Sequence, residues 1–148
     1  MKKICFLLLL SLLYLSACQI NKPKSGFVII SPEIAEIFSQ IADQKLILGV
    51  AEECNYPESL KSKPKVGNFG QINLESIIKL NPKYVLCSSL EQKAIAEELT
   101  KVGIEVVVFY PKKVTDIIDI TRQIGILTNN KPKADSLANN LSDFLNHL

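Results

Sequence analysis

The segment Phe27-Val28-Ile29-Ile30-Ser31-Pro32-Glu33-Ile34-Ala35-Glu36-Ile37-Phe38 reads as a buried strand that runs directly into a helix. The unbroken apolar run from Phe27 to Ile30 suits a strand covered on both faces, as parallel strands are. Ser31 is a good helix N-cap. Pro32 fits the first helical turn, where its missing N–H costs nothing, and Glu33 complements the positive helix end. Ile34, Ile37, Phe38 and Ile41 then recur at helical spacing and give one core-facing stripe.

The same strand-then-helix order repeats toward the C-terminus. Leu46 to Val50 is a second strand. A long connection follows from Ala51 to Ile72, with breaker signals at Tyr56-Pro57, Lys63-Pro64 and Gly67-Asn68-Phe69-Gly70 and no periodicity of its own. Asn73 caps a short helix, Leu74 to Leu80, that Asn81-Pro82 ends. Tyr84 to Cys87 is a third strand. Ser88 or Ser89 caps a helix over about Glu91 to Val102, with Ala94, Ile95, Leu99 and Val102 inward and Gly103 closing it. Glu105 to Phe109 is a fourth strand, broken by Tyr110-Pro111. Thr115 or Val114 opens a helix with Ile117, Ile118, Thr121, Ile124 and Leu127 on one side. After Asn129 to Pro132, a last amphipathic helix carries Ala134, Leu137, Ala138, Leu141, Phe144, Leu145 and Leu148. This order predicts an α/β fold: a four-stranded parallel sheet flanked by helices, a Rossmann-like lobe with right-handed crossovers.

Ligands of such sheets sit beyond the carboxyl ends of the strands. That edge collects Ser31, the Cys54–Gly70 loop, Ser88-Ser89-Leu90 and Tyr110-Pro111. The glycine patterns that cradle dinucleotides or nucleoside triphosphates are absent from it. The chain has one histidine, His147, so an imidazole metal site is excluded and no metal is expected. Paired catalytic carboxylates, a nucleophile elbow and a histidine base are likewise missing, which argues against an enzyme. Glu52 and Glu53 are adjacent and read as a solvated loop. No Lys/Arg cluster marks a nucleic-acid partner.

The N-terminus reads as an export signal. Lys2 and Lys3 are its charged start, and Ile4 to Leu13 is a mostly apolar run of ten residues, short of the ~20 that span a bilayer. Leu15-Ser16-Ala17-Cys18 resembles the bacterial lipobox, which implies cleavage after Ala17 and palmitate-type acylation of Cys18. Gln19 is not the acidic residue that retains such lipoproteins in an inner membrane. The expected division is a signal peptide over 1–17, a lipidated tether over 18–26, an α/β lobe over 27–130 and a C-terminal helix over 131–148. The mature part carries 15 basic and 15 acidic side chains, a net charge of zero. Cys54 and Cys87 both fall at carboxyl ends of strands in an oxidising compartment. They read either as a disulfide or as buried thiols.

The succession Ser31-Pro32-Glu33-Ile34-Ala35-Glu36-Ile37, Leu48-Gly49-Val50, Cys54-Asn55-Tyr56-Pro57, Pro64-Lys65-Val66-Gly67-Asn68-Phe69-Gly70, Asn73-Leu74-Glu75-Ser76-Ile77, Leu80-Asn81-Pro82-Lys83-Tyr84-Val85 and Gly103-Ile104-Glu105-Val106-Val107 resembles the cobalamin/iron-chelate class of periplasmic binding proteins. Members of that class have two α/β lobes joined by a long helix. They hold a corrinoid, haem or ferric siderophore between the lobes and deliver it to an ABC permease. The resemblance covers the first lobe and the start of the inter-lobe helix, and the second lobe is expected to be absent from this chain. It implies ligand contacts from Tyr56, Asn68 and Phe69 and permease docking by Glu75. For the residues alone, Tyr56 and Phe69 serve equally to hold the loop, and Glu75 to complement the helix dipole. Ser88 and Ser89 either hydrogen-bond a ligand fringe or cap a helix. The expected function is an exported binding lipoprotein for a corrinoid or iron chelate. Its alternative is a half-protein that needs a separate second lobe and binds nothing alone.

Overall fold

The strand read from Phe27 forms as β1 (Phe27–Ile29) and feeds α1 (Pro32–Ile41) through Ser31. The remaining elements are β2 (Ile47–Val50), β3 (Gly67–Asn68), β4 (Gln71–Ile72), α2 (Leu74–Leu80), β5 (Tyr84–Cys87), α3 (Lys93–Lys101), β6 (Glu105–Val108), α4 (Asp116–Leu127) and α5 (Lys131–Asn146). They come from a computed structural model that describes residues 24–68, 70–88 and 93–147.

The strands β2-β1-β5-β6 lie in that order, every pair parallel. β1 is central: Val28 sits opposite Val85 on one side and Gly49 on the other. Its burial on both faces explains the unbroken apolar run that the sequence shows. The chain steps from β1 outward to β2, then back across β1 to β5 and on to β6. Right-handed crossovers in opposite directions put the helices on opposite faces. Accordingly α1, α4 and α5 pack together, and α2 packs with α3.

The core fills the space between the central strands and α1. Ile34, Ala35, Ile37, Phe38 and Ile41 are all buried, as the helical stripe predicts. Phe27 meets Phe38 edge-on at 4.8 Å and stacks on Tyr84 at 5.3 Å, which ties α1 to β1 and β5. Ala134 of α5 belongs to the same core, so the last helix is part of this body.

The connection from Ala51 to Ile72 is ordered. Leu60 and Val66 are fully buried but stand alone on either side of the polar stretch Lys61-Ser62-Lys63-Pro64-Lys65, too sparse to mark a period. Leu60 anchors a 3₁₀ turn over Glu58–Ser62. Val66 pairs with the end of β2 and leads into the β3–β4 hairpin. Gly67 has φ +109°, and a Cβ there would lie 2.3 Å from the Gln71 carbonyl oxygen, so glycine is required.

Four expectations are corrected. Leu46 belongs to a 3₁₀ turn, Gln44–Leu46, that precedes β2, and it is exposed. Ser31 occupies the N-cap position of α1, but its hydroxyl makes no capping bond; it goes elsewhere, as described below. Val102 is 46% exposed because α3 ends at Lys101 and the chain tightens there, with Val102 N donating to Leu99 O. Phe144 is 63% exposed because α5, at 16 residues, outruns the 12-residue α4 on which it packs.

Candidate ligand-binding rim

The strand order reverses between β1 and β5, since α1 leaves β1 toward one face and α3 follows β5 on the other. A crevice opens at such a switch point, beyond the carboxyl ends of the two strands. The residues that leave β1 and β5 there are Ser31 and Ser88. Ser31 is fully buried and donates to Ser88 Oγ at 2.9 Å. That bond satisfies a buried hydroxyl and links the ends of the two central strands. The sequence offered Ser88 as a helix cap or a ligand contact, and the observed hydroxyl bond is to Ser31.

The long connection arches over the same edge. Cys54 is buried with its thiol directed at the Ile29 carbonyl, 3.7 Å away, at the end of β1. Burial pushes this thiol up to about 11. Tyr56, two residues on, is 66% exposed. The loop that carries it is closed from within: Lys65 Nζ donates to the carbonyls of Cys54 and Leu60, each at 3.3 Å, and lies 3.5 Å from that of Ala51. Lys63 Nζ donates to Gln44 O at 2.8 Å and fastens the outer end. Three carbonyls around one ammonium bring the two limbs of the loop together, in addition to the burial of Leu60 and Val66.

The hairpin extends the rim past β2. Val66 N donates to Val50 O, and Glu52 N to Gly67 O, so the segment continues β2 beyond the sheet edge. Asn68 is exposed at its tip, where Oδ1 accepts from the N–H groups of Gly70 and Gln71. Asn73 caps α2 through Ser76 N at 2.9 Å, and Glu75 stands exposed in the first turn. Asn68 and Glu75 therefore border one polar hollow of about 600 Å³.

At the far end, Phe109 turns in and Tyr110 turns out, 52% exposed. Tyr110 borders a hollow of about 240 Å³ with Asp116, Asp119 and Gln123. Hydrogen bonds from the backbone N–H groups of Lys112 and Lys113 hold the Asp116 carboxyl below its ordinary range. From the sequence, Tyr110 was legible as a strand breaker at this edge but not as a second exposed aromatic. Lys65 carried no signal, because its partners are backbone carbonyls brought together only by folding.

Of the expected site residues, Ser88, Tyr56, Asn68 and Glu75 thus share one edge with Ser31. Phe69, Ser89 and the lipidation residue Cys18 lie outside the described residues. Cys54 and Cys87 do not form the disulfide considered from sequence: both are thiols. Cys87 Sγ lies 3.7 Å from Val107 O on β6, whereas Cys54 faces β1. The two point to different strand interfaces of the sheet.

Exposed aromatics and loop amides thus gather at the switch-point edge, where ligands of parallel α/β sheets sit. The sequence pattern of the periplasmic binding protein family matches residues 28–148, and the chain belongs to that family. It is 31% identical to the vitamin B12-binding protein of Vibrio vulnificus, in an alignment that covers all of this chain and 52% of that protein. Among solved structures, the periplasmic vitamin B12 binding protein of Vibrio cholerae is similar with a TM-score of 0.75 at 19% identity, covering 84% of this chain and 49% of that one. A periplasmic heme binding protein from Pseudomonas aeruginosa gives 0.76 at 16% identity, covering 83% and 45%. These structural likenesses establish the fold. The chain spans about half the length of the relatives it matches.

Proposed function

We propose that this chain is the first lobe of an exported substrate-binding lipoprotein, anchored through Cys18, that captures a corrinoid or iron chelate at its rim for an ABC permease. One observation carries the reading: Ser31 and Ser88 meet at the switch point, and exposed Tyr56 and Tyr110 stand along that same edge. A flat macrocycle can lie against aromatic side chains while the serine and loop amides meet its polar fringe. The vitamin B12-binding relatives favour a corrinoid, and the heme-binding fold neighbours favour a tetrapyrrole more generally.

The test is a titration of the mature chain, carrying Cys18→Ser, with hydroxocobalamin, haemin and a ferric siderophore, read by absorbance and tyrosine quenching. The expected result is a spectral change with one ligand class. Tyr56→Ala should weaken that binding about fivefold, the equivalent of ~1 kcal/mol of ring contact. No response to any ligand, even at high concentration, overturns binding by this chain alone.

The open rim favours a second reading, in which the ligand is gripped only when a second lobe supplies the other wall. A cleft ligand buries most of its surface, and Tyr56 and Tyr110 here have one side uncovered. Binding that appears only after a second lobe is added would select this version.

A further inference from the structure

The edge of the sheet opposite the rim concentrates lysines. Lys45 precedes β2, and Lys83 precedes β5. Lys24 precedes β1, with its ammonium on the Val102 carbonyl. α2 ends on this side with Lys79 in its last turn. α5 begins here, because Asn130 Nδ2 donates to Ile41 O at the end of α1. It contributes Lys131 and Lys133. Against these six lysines the edge sets the carboxylates of Asp43 and Glu105, while Glu98 is occupied by Lys101 at 2.6 Å and Asp135 of α5 by Arg122 at 3.7 Å.

A further fact separates this patch from an ordinary solvated face. The first turn of α5 holds Lys131 and Lys133 and no acidic residue. Cations at a helix N-terminus oppose the helix dipole, so helix stability does not account for them.

We infer that the lysine edge is a membrane-contact surface that rests on anionic phospholipid headgroups. Nearness to a bilayer rests on the lipid-anchor reading: Cys18 is six residues from Lys24, a reach of at most ~20 Å in extended chain. The affinity for anionic lipid does not rest on it. A lysine near such a surface is worth about fivefold in binding. A few net charges do not replace an acyl chain, but a single chain plus a basic patch anchors stably where either alone is marginal.

The experiment uses the mature chain carrying Cys18→Ser, which has no acylation site. It is sedimented with vesicles of phosphatidylglycerol mixed with phosphatidylcholine, and with vesicles of phosphatidylcholine alone. Binding is expected to the mixed vesicles only, and to fall as salt is raised. Combining Lys131→Gln with Lys133→Gln should cut it about 25-fold, two lysines at about fivefold each. These substitutions relieve a dipole conflict, so the variant should melt no lower than the parent. Lys112→Gln with Lys113→Gln, at the opposite edge, should leave binding unchanged. Equal binding to both vesicle types, no binding to either, or equal losses from the two lysine pairs overturns the inference. Failure of the anchor reading would show separately, as a native chain whose mass lacks an acyl group on Cys18.

Discussion

At the scale of single residues, titratable groups give sharp expectations. Cys54 is held protonated by burial, at about 11 against an ordinary 9.0. Below pH 9 both folded and unfolded chains keep that proton, and the contribution to stability is intact. Between those values the unfolded chain ionises first, so stability falls as pH rises. Urea midpoints at neutral and alkaline pH should show a smaller alkaline drop for Cys54→Ala than for the parent; an identical drop would mean the thiol is accessible. Asp116 works in the other direction, because two backbone N–H groups depress it. Its contribution is present above the ordinary carboxylate range and is lost as pH falls through the lowered value. The stability gap between the parent and Asp116→Asn should therefore close in acid. At Ser31, removing the hydroxyl from a buried bond to Ser88 should cost about 1 kcal/mol, measured by urea unfolding.

At the scale of elements, the contact between α4 and α5 is the tightest constraint. A Cβ at Gly125 would lie 2.2 Å from the Ala134 Cβ, so the two helices touch through a missing side chain. Gly125→Ala should destabilise by ~1–3 kcal/mol through overpacking, despite alanine's better helix propensity. Adding Ala134→Gly should recover part of the loss. A Gly125→Ala protein as stable as the parent would refute the close approach. The Lys65 clamp predicts a different signature. Lys65→Met should raise amide exchange across residues 51–62 while leaving β1 and β5 protected, since the ammonium ties together loop carbonyls and touches neither strand.

At the scale of the whole molecule, the proposed function asks the rim to serve ligand and transporter together. Glu75 lies at one end of it, near Asn68, and Tyr110 at the other. Glu75→Ala should leave ligand affinity unchanged and weaken uptake through the intact transporter. Reduced ligand binding by the isolated protein would instead move Glu75 into the ligand site. Losing Phe38, which meets Phe27 in the centre of the core, should cost ~3–5 kcal/mol as Phe38→Ala and so unfold much of the population.

The sequence by itself determined the α/β class, the four parallel strands, the short helix Leu74–Leu80 to its last residue and the edge on which the candidate residues gather. Those features rest on local signals: apolar runs, helical stripes, caps and breakers act between near neighbours. Folding alone decided what depends on residues far apart in the chain. The strand order set Ser31 against Ser88 across 57 residues. It also directed Cys54 and Cys87 to different strand interfaces and closed the Tyr56 loop around the Lys65 ammonium. It gathered lysines from separate elements onto one edge. Hydrogen bonds and charges act over a few ångströms of space, and only the packed sheet brings distant residues within that range.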